Sequence, residues 1–199
     1  MKVLIACEYS GIVRNAFAAA GHDAWSVDII PSTSDGQHII EDAITVAYRE
    51  HWDLIIGHPP CTYLAKVQQW MCHKDPERAF KQVLAAKFFI DLYNAPAKHI
   101  ALENPPGYMS KIFRPFDQCV HPWWYGDPYE KHVCLWLKNL PPLMSTAQSP
   151  GRYSMNRHTN GRMNQQQRSK IRSRFFPGIA AAMVQQWSDV VTLEKESSG

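Results

Sequence analysis

Apolar residues along this chain fall into short unbroken runs, and between the runs lie segments with a helical apolar period. The first run, Lys2-Val3-Leu4-Ile5-Ala6-Cys7, lacks alternation, the pattern of a strand buried on both faces. Glu8-Tyr9-Ser10-Gly11 then turns the chain, with Ser10 placed to cap a helix. Val13, Ala16, Phe17 and Ala20 share one face from Ile12 to Ala20, and Gly21-His22 ends that helix. Asp23 to Asp28 reads as a second strand with an acid at its carboxyl end. Strand, helix and strand within about thirty residues begin a doubly wound sheet.

The pattern continues past a polar loop, Pro31 to Gln37. His38-Ile39-Ile40 is a third strand ending in Glu41-Asp42, and Ala43 to Glu50 a short helix. Asp53-Leu54-Ile55-Ile56-Gly57 is a fourth, buried strand, which Pro59-Pro60 must stop because proline cannot continue a ladder. Tyr63 to Lys74 has no clear period and is expected to be a mobile loop over a site. Pro76 starts a long amphipathic helix to Tyr93 carrying Ala79, Phe80, Val83, Leu84, Phe88 and Leu92. Ala97 to Glu103 is the fifth strand. Cys119 to Tyr125 and Lys131 to Leu137 read as two strands turning at Gly126-Asp127, an antiparallel addition to the sheet. Residues 145–174 lack periodicity and are expected to form a long basic loop, disordered without a partner. Phe175-Phe176-Pro177-Gly178-Ile179 opens a last helix through Trp187.

With 199 residues, 45% of them hydrophobic, and seven tryptophans, the chain is expected to fold as one globular domain, 1–199. It has no apolar run of about 18 residues and no basic-then-apolar leader. The expectation is a soluble, cytoplasmic protein. Five cysteines without framework spacing imply no disulfides. Charge is unevenly divided: residues 1–130 hold 11 basic and 15 acidic side chains, whereas residues 131–188 hold nine basic and none acidic. Such a one-sided stretch suggests an anionic partner, nucleic acid first, or else a solvated basic face.

The chemistry-bearing residues gather at strand ends. Tyr9-Ser10-Gly11, Asp28, Asp42, Cys61 and Glu103 each lie at or just past the carboxyl end of a successive strand. In a parallel sheet those ends share one edge, where open α/β sheets bind ligands. A cysteine there acts as a nucleophile once ionised, and a glutamate on the neighbouring strand can hold a proton on a substrate nitrogen. An acid ending the second strand suits ribose hydroxyls. The first turn has one glycine rather than G-x-G-x-x-G, which favours an adenosine cofactor without phosphates. Each residue also has a plainer reading: a buried thiol for Cys61, caps or turns for Asp28, Asp42 and Tyr9-Ser10-Gly11, and a solvated acid for Glu103.

Gly57-His58-Pro59-Pro60-Cys61 resembles the Pro-Cys motif of the DNA cytosine-5 methyltransferases, and Glu103-Asn104-Pro105 is similar to that family's Glu-Asn-Val motif. Tyr9-Ser10-Gly11 matches the start of the family's Phe-x-Gly cofactor loop without its later glycines. Gly126-Asp127-Pro128-Tyr129-Glu130-Lys131 is similar to the Gly-x-Pro-Gln-x-Arg motif, with Lys131 in place of arginine. The resemblance spans roughly residues 3–135 and extends to small methyltransferase-like proteins of bacteriophages. It implies an α/β, Rossmann-like S-adenosylmethionine-dependent methyltransferase fold, a mostly parallel sheet with helices on both faces. It implies S-adenosyl-L-methionine as cofactor, DNA as partner, and a bacterial host cell as the location. Catalysis would fall to Cys61, Glu103 and Lys131. Tyr9, Ser10, Gly11, Asp28, Ile29, Asp42 and Pro59 would hold the cofactor, and Pro60, Asn104, Arg168, Arg172 and Arg174 the substrate. Cys61 would attack cytosine C6 while Glu103 stabilises protonation at N3, on a base flipped out of the duplex.

The family inserts a target-recognition domain before its last helix, whereas only the basic stretch from Lys138 to Arg174 lies in that interval here. Single-stranded DNA and a free deoxycytidine nucleotide are compatible substrates, and a non-enzymatic nucleic-acid-binding protein on the same fold is the other reading. Asn104-Pro105-Pro106-Gly107-Tyr108 is a poorer match to the Asn-Pro-Pro-Tyr motif of amino-group methyltransferases, because glycine precedes the aromatic. Cys119, His121, His132 and Cys134 mirror one another across the expected hairpin, a poor tetrahedron for zinc. Trp123-Trp124 reads as aromatic core rather than a base-stacking platform.

Overall fold

The computed structural model describes residues 1–147, 149, 153–154 and 174–196. The strands are β1 (Lys2–Ala6), β2 (Asp23–Asp28), β3 (His38–Ile40), β4 (Leu54–Gly57), β5 (His99–Asn104), β6 (Gln118–Val120), β7 (Tyr129–Glu130), β8 (Val133–Lys138) and β9 (Tyr153–Ser154). Seven form one sheet in the order β3-β2-β1-β4-β5-β8-β6, while β7 and β9 pair apart from it. β1 to β5 are mutually parallel, and β8 runs antiparallel to both β5 and β6. This is a Rossmann order, 3-2-1-4-5, with an antiparallel strand inserted before the last.

Every core strand is apolar on both faces because helices cover both. Val3, Ile5, Leu54, Ile56, Val133 and Leu135 pack with Val13 and Phe17 of α1 (Ile12–Ala19) and with Ile179, Met183 and Trp187 of α6 (Pro177–Glu196). The alternate residues Leu4, Ala6, Ile55, Leu102 and Trp136 pack with Val46 of α2 (Ala43–Arg49) and with Phe89 and Leu92 of α4 (Pro76–Tyr93). Burying each large side chain contributes roughly 1.5–3 kcal/mol. The unbroken runs are therefore required by the architecture: a polar residue at any of these positions would be buried on one face or the other.

Three expectations are corrected. The segment after Cys61 is an ordered wall: a 3₁₀ turn (Lys66–Gln68), then α3 (Gln69–Lys74), joined to the chain before α5 (Met109–Ile112). The hairpin strands are shorter than the pattern suggested, because Pro122–Trp124 is a 3₁₀ turn and β7 leaves the main sheet. The long helix α4 is rotated: Gln82, Ala86, Phe89 and Leu92 face the core, and Phe80, Val83 and Leu84 stand 63%, 58% and 49% exposed. The helix carries two apolar stripes, and Phe89 wins because its ring fits edge-on against Trp136, centroids 5.1 Å apart. The basic-loop expectation falls mostly outside the described residues.

Candidate active site

Five parallel strands deliver their carboxyl ends to one edge, and β8, being antiparallel, brings its amino end and the preceding Lys131 to the same edge. The edge divides at β1. On one side β1, β2 and β3 frame the turn that follows β1, and on the other β4, β5 and β8 carry reactive groups.

At the end of β1, Cys7 adopts a φ of 59° and Gly11 one of 70°, folding the turn back on α1. Gly11 stands at the cap position, and Ser10, one residue earlier, accepts only a long bond from the Ile12 N–H (3.4 Å). The buried carboxylate of Glu8 does the work instead, accepting hydrogen bonds from the backbone N–H groups of Val13 (2.7 Å) and Arg14 (3.2 Å) and from the Ser10 hydroxyl (3.3 Å). These helix-terminal donors are the ones that bind pyrophosphate in dinucleotide folds. Here they are taken. Burial pushes the Glu8 pKa up while the two N–H groups and Arg14 pull it down, the net direction being upward. In either protonation state its oxygens occupy the donors.

The fully buried Arg14 guanidinium holds the loop that follows β2. It donates to the hydroxyls of Ser26 (2.9 Å) and Ser34 (2.8 Å) and to the carbonyls of Ser34 (3.1 Å) and Asp35 (2.7 Å). A Cβ at Gly11 would lie 2.1 Å from the Ser34 hydroxyl and 2.4 Å from this guanidinium, so the turn needs its one glycine on two counts. Asp28 ends β2, its carboxylate accepting from the Ile30 N–H at 3.3 Å, and burial raises its pKa. Ile29 beside it is 77% exposed, an apolar side chain presented beyond a strand end. Asp42 caps α2 through the Thr45 N–H at 3.0 Å, the plainer reading of that residue, though it and Asp28 both act on the Cys7 thiol and help raise its pKa after burial.

Beyond β4, the His58 N–H donates to the Ala6 carbonyl (2.9 Å) and extends the parallel ladder by one residue before the prolines end it. Pro59 is buried, and Pro60 and Cys61 are exposed. The Cys61 carbonyl accepts from both Leu64 and Ala65 (3.0 Å each), closing a tight turn. The Tyr108 N–H donates to the Leu64 carbonyl (2.7 Å) and the Lys66 N–H to that of Pro106 (3.1 Å), joining the loop to β5's exit. A Cβ at Gly107 would meet the Leu64 carbonyl at 2.1 Å, which is why glycine separates Pro106 from Tyr108. Buried Gln82 of α4 donates to the Tyr63 carbonyl (2.8 Å), and Asn104 donates to the Pro59 carbonyl (2.8 Å).

Glu103 lies next to this turn, nearly buried. Its Oε1 is 3.8 Å from Lys131 Nζ and its Oε2 is 4.0 Å from His58 Nδ1. Partial enclosure and then the Glu103 charge push the Cys61 thiol pKa up, and Lys131 opposes them. Cys61, Glu103 and Lys131 thus form one electrostatic unit. Lys131 also lies over the Phe176 ring (5.4 Å), and Phe175 packs on His58 (4.4 Å), so the start of α6 walls this half of the site.

Among solved structures, the chain is similar to a protein described as a DNA modification methyltransferase encoded within an E. coli prophage. The TM-score is 0.50 at 17% identity, over 82% of this chain and 56% of that one. It is also similar to the Dnmt2 methyltransferase of S. pombe, with a TM-score of 0.39 at 15% identity, over 83% of this chain and 56% of that one. The fold is the Rossmann-like methyltransferase fold. The chain spans little more than half the length of either structure. No protein-family model and no curated protein matches the sequence.

The sheet brings Tyr9, Ser10, Gly11, Asp28, Ile29 and Asp42 to one half of the edge, and Pro59, Pro60, Cys61, Glu103, Asn104 and Lys131 to the other. Arg174 is described and exposed, whereas Arg168 and Arg172 lie outside the described residues. Cys119 faces Cys134 in register, and the His121 and His132 rings lie 4.6 Å apart. Among the described residues no group of three or more His, Cys, Asp or Glu is placed to hold a metal, and no helix is long and apolar enough to cross a membrane. Sequence reasoning missed Glu8, Arg14, His58 and Phe175. Glu8 stands within the quoted turn and His58 within the quoted Pro-Cys motif, so position alone marked them. Arg14 had no such signal, because an arginine on a helix normally faces water.

Proposed function

We propose that this protein transfers a methyl group from S-adenosyl-L-methionine to C5 of cytosine in DNA, through a transient bond from Cys61 to the base. The observation that carries the reading is the joint placement of Cys61, Glu103 and Lys131 beside a turn whose phosphate-binding donors Glu8 already fills. That turn fits an adenosine ligand free of phosphate. In this reading Asp28 takes the ribose hydroxyls and exposed Ile29 an adenine face. When bound, the cofactor supplies an electrophilic methyl group.

The chain's own residues supply the rest. The Cys61 thiolate forms the S–C6 bond, and the electron pair displaced from the C5–C6 double bond makes C5 nucleophilic. The Glu103 carboxyl holds a proton at N3, where charge would otherwise develop. Lys131, 3.8 Å from that carboxylate, favours the thiolate of Cys61. After C5 loses its proton to a base, the S–C6 bond breaks and its electrons return to Cys61. DNA as substrate is supported by the basic excess after residue 130 and by the fold shared with the prophage methyltransferase.

The test is methyl transfer from labelled S-adenosyl-L-methionine to single-stranded DNA, duplex DNA and dCMP in parallel, with Cys61→Ala as control. Label recovered as 5-methylcytosine and lost in the variant supports the reading, and the productive arm names the substrate. Label on dCMP alone replaces DNA by the free nucleotide. Bound cofactor without transfer, together with salt-sensitive DNA binding that survives Cys61→Ala, replaces the enzyme with a binding protein.

A further inference from the structure

His58 is a buried titratable group at the reactive half of the edge that the proposed chemistry leaves unused. Its backbone is fixed by the Ala6 carbonyl, and its ring is seated on Phe175 with only 11% of the side chain exposed. Both ring nitrogens are buried without a hydrogen-bond partner among the described residues, and so is Oε1 of Glu103. A buried polar atom left unpaired costs on the order of 1–3 kcal/mol. A phenylalanine or leucine would pack on Phe175 without that cost. The ring nitrogens therefore call for a role, and Glu103 Oε2 lies 4.0 Å from Nδ1.

Resting on the methyl-transfer reading above, we infer that His58 is the positioning residue for Glu103: its Nδ1–H takes Oε2 as the 4.0 Å gap closes on substrate, turning Oε1 toward the pyrimidine N3. The charges facing the imidazole favour this arrangement. Glu103 lies on one side of it, and Lys131 beyond Glu103, with Cys61 coupled to both. Burial, and then Lys131, push the His58 pKa down to about 3. The ring is therefore neutral at working pH and carries a single proton. On Nδ1 that proton makes a neutral N–H donor for the carboxylate, orienting it without the charge that would neutralise it. Oε1, which Lys131 approaches only to 3.8 Å, is the oxygen left for a ligand.

The test uses the full chain and two readouts. The first needs no turnover: nitrogen NMR of the His58 ring and carbon NMR titration of the Glu103 carboxyl, both with single-stranded DNA bound and no cofactor present. The expected result is the Nδ1–H tautomer, with the Glu103 midpoint higher in His58→Phe, which keeps the ring on Phe175, than in the wild type, and restored in His58→Asn, which keeps a donor near Nδ1. The second is methyl transfer. His58→Phe should lose tenfold or more in kcat with the KM for DNA within twofold and with the acid limb of the pH profile displaced, and His58→Asn should recover most of it. An Nε2–H tautomer in the wild type overturns the inference whether or not a variant folds. So does a folded His58→Phe with unchanged Glu103 titration and kcat. A wild type that transfers no methyl group but shows the Glu103 shift sinks the methyl-transfer reading and leaves the His58–Glu103 link standing.

Discussion

Asn104 reaches from the end of β5 to the carbonyl oxygen of Pro59, 2.8 Å away, and so fixes the turn that presents Cys61. The amide spans two adjacent strand exits, and its second Nδ2–H bond, to the Glu103 carbonyl at 3.1 Å, sets its orientation. One side chain thus ties the Cys61 loop to the strand that carries Glu103.

Asn104→Ala strands the Pro59 carbonyl and frees the loop. The expected cost is about 1–3 kcal/mol of stability, with a larger fractional loss of methyl transfer than of cofactor binding. Thermal unfolding and calorimetric cofactor titration check both. Asn104→Asp should cost at least as much, because a carboxylate cannot donate to Pro59.

Cys61 alkylation should report its neighbours. With the thiol pKa held above the ordinary value by enclosure and Glu103, the iodoacetamide rate rises with pH to a midpoint above that of a free cysteine. Glu103→Gln should move the midpoint down and Lys131→Met should move it up. Identical profiles in all three proteins would show that the carboxylate and the ammonium do not act on the thiol.

Glu8 links stability to pH. Its folded pKa lies above the unfolded value, so between the two the native state binds more protons than the unfolded chain. Its contribution is full below the unfolded value and declines as pH rises through the folded one. Melting temperatures of the wild type and Glu8→Gln across that range should diverge, with the wild type losing more as pH rises. Parallel curves would contradict the raised pKa.

Arg14→Met removes the donors that gather Ser26, Ser34 and Asp35. The loss is expected to be about 3 kcal/mol or more, in line with breaking a buried charged network. Hydrogen exchange should quicken in residues 31–36 before the sheet is affected.

The rotated α4 gives a contrast within one helix. Phe89→Ala is expected to cost about 3–5 kcal/mol, while Phe80→Ser should stay within about 0.5 kcal/mol, as for an ordinary surface position. Comparable destabilisation by the two would restore the face that the periodicity favours.

That helix also marks how far the sequence was legible. The strands were plain because burial on both faces leaves an unbroken apolar run, and the strand ends followed from proline, glycine and acids. Convergence of Cys61 and Glu103 needed only parallel strands. The face of α4 was not legible, because Phe80 and Phe89 are equal in hydrophobicity and only Trp136, 47 residues beyond Phe89, distinguishes them. The Tyr63 to Lys74 segment looked shapeless because its order comes from Pro106, Gly107 and Gln82, which no local pattern reveals. Ser10 was a reasonable cap by residue type, but a longer acid two residues earlier reached the same N–H groups first.

Glu8 has one more consequence. A cell holds adenine nucleotides bearing phosphates in large excess over most other adenosine ligands, and a Rossmann edge is a natural berth for them. By setting its own carboxyl group on the Val13 and Arg14 N–H donors, this chain makes that berth occupied from the moment it folds. On the proposed reading, insulation from the nucleotide pool is a property of the fold itself, built in before any ligand arrives.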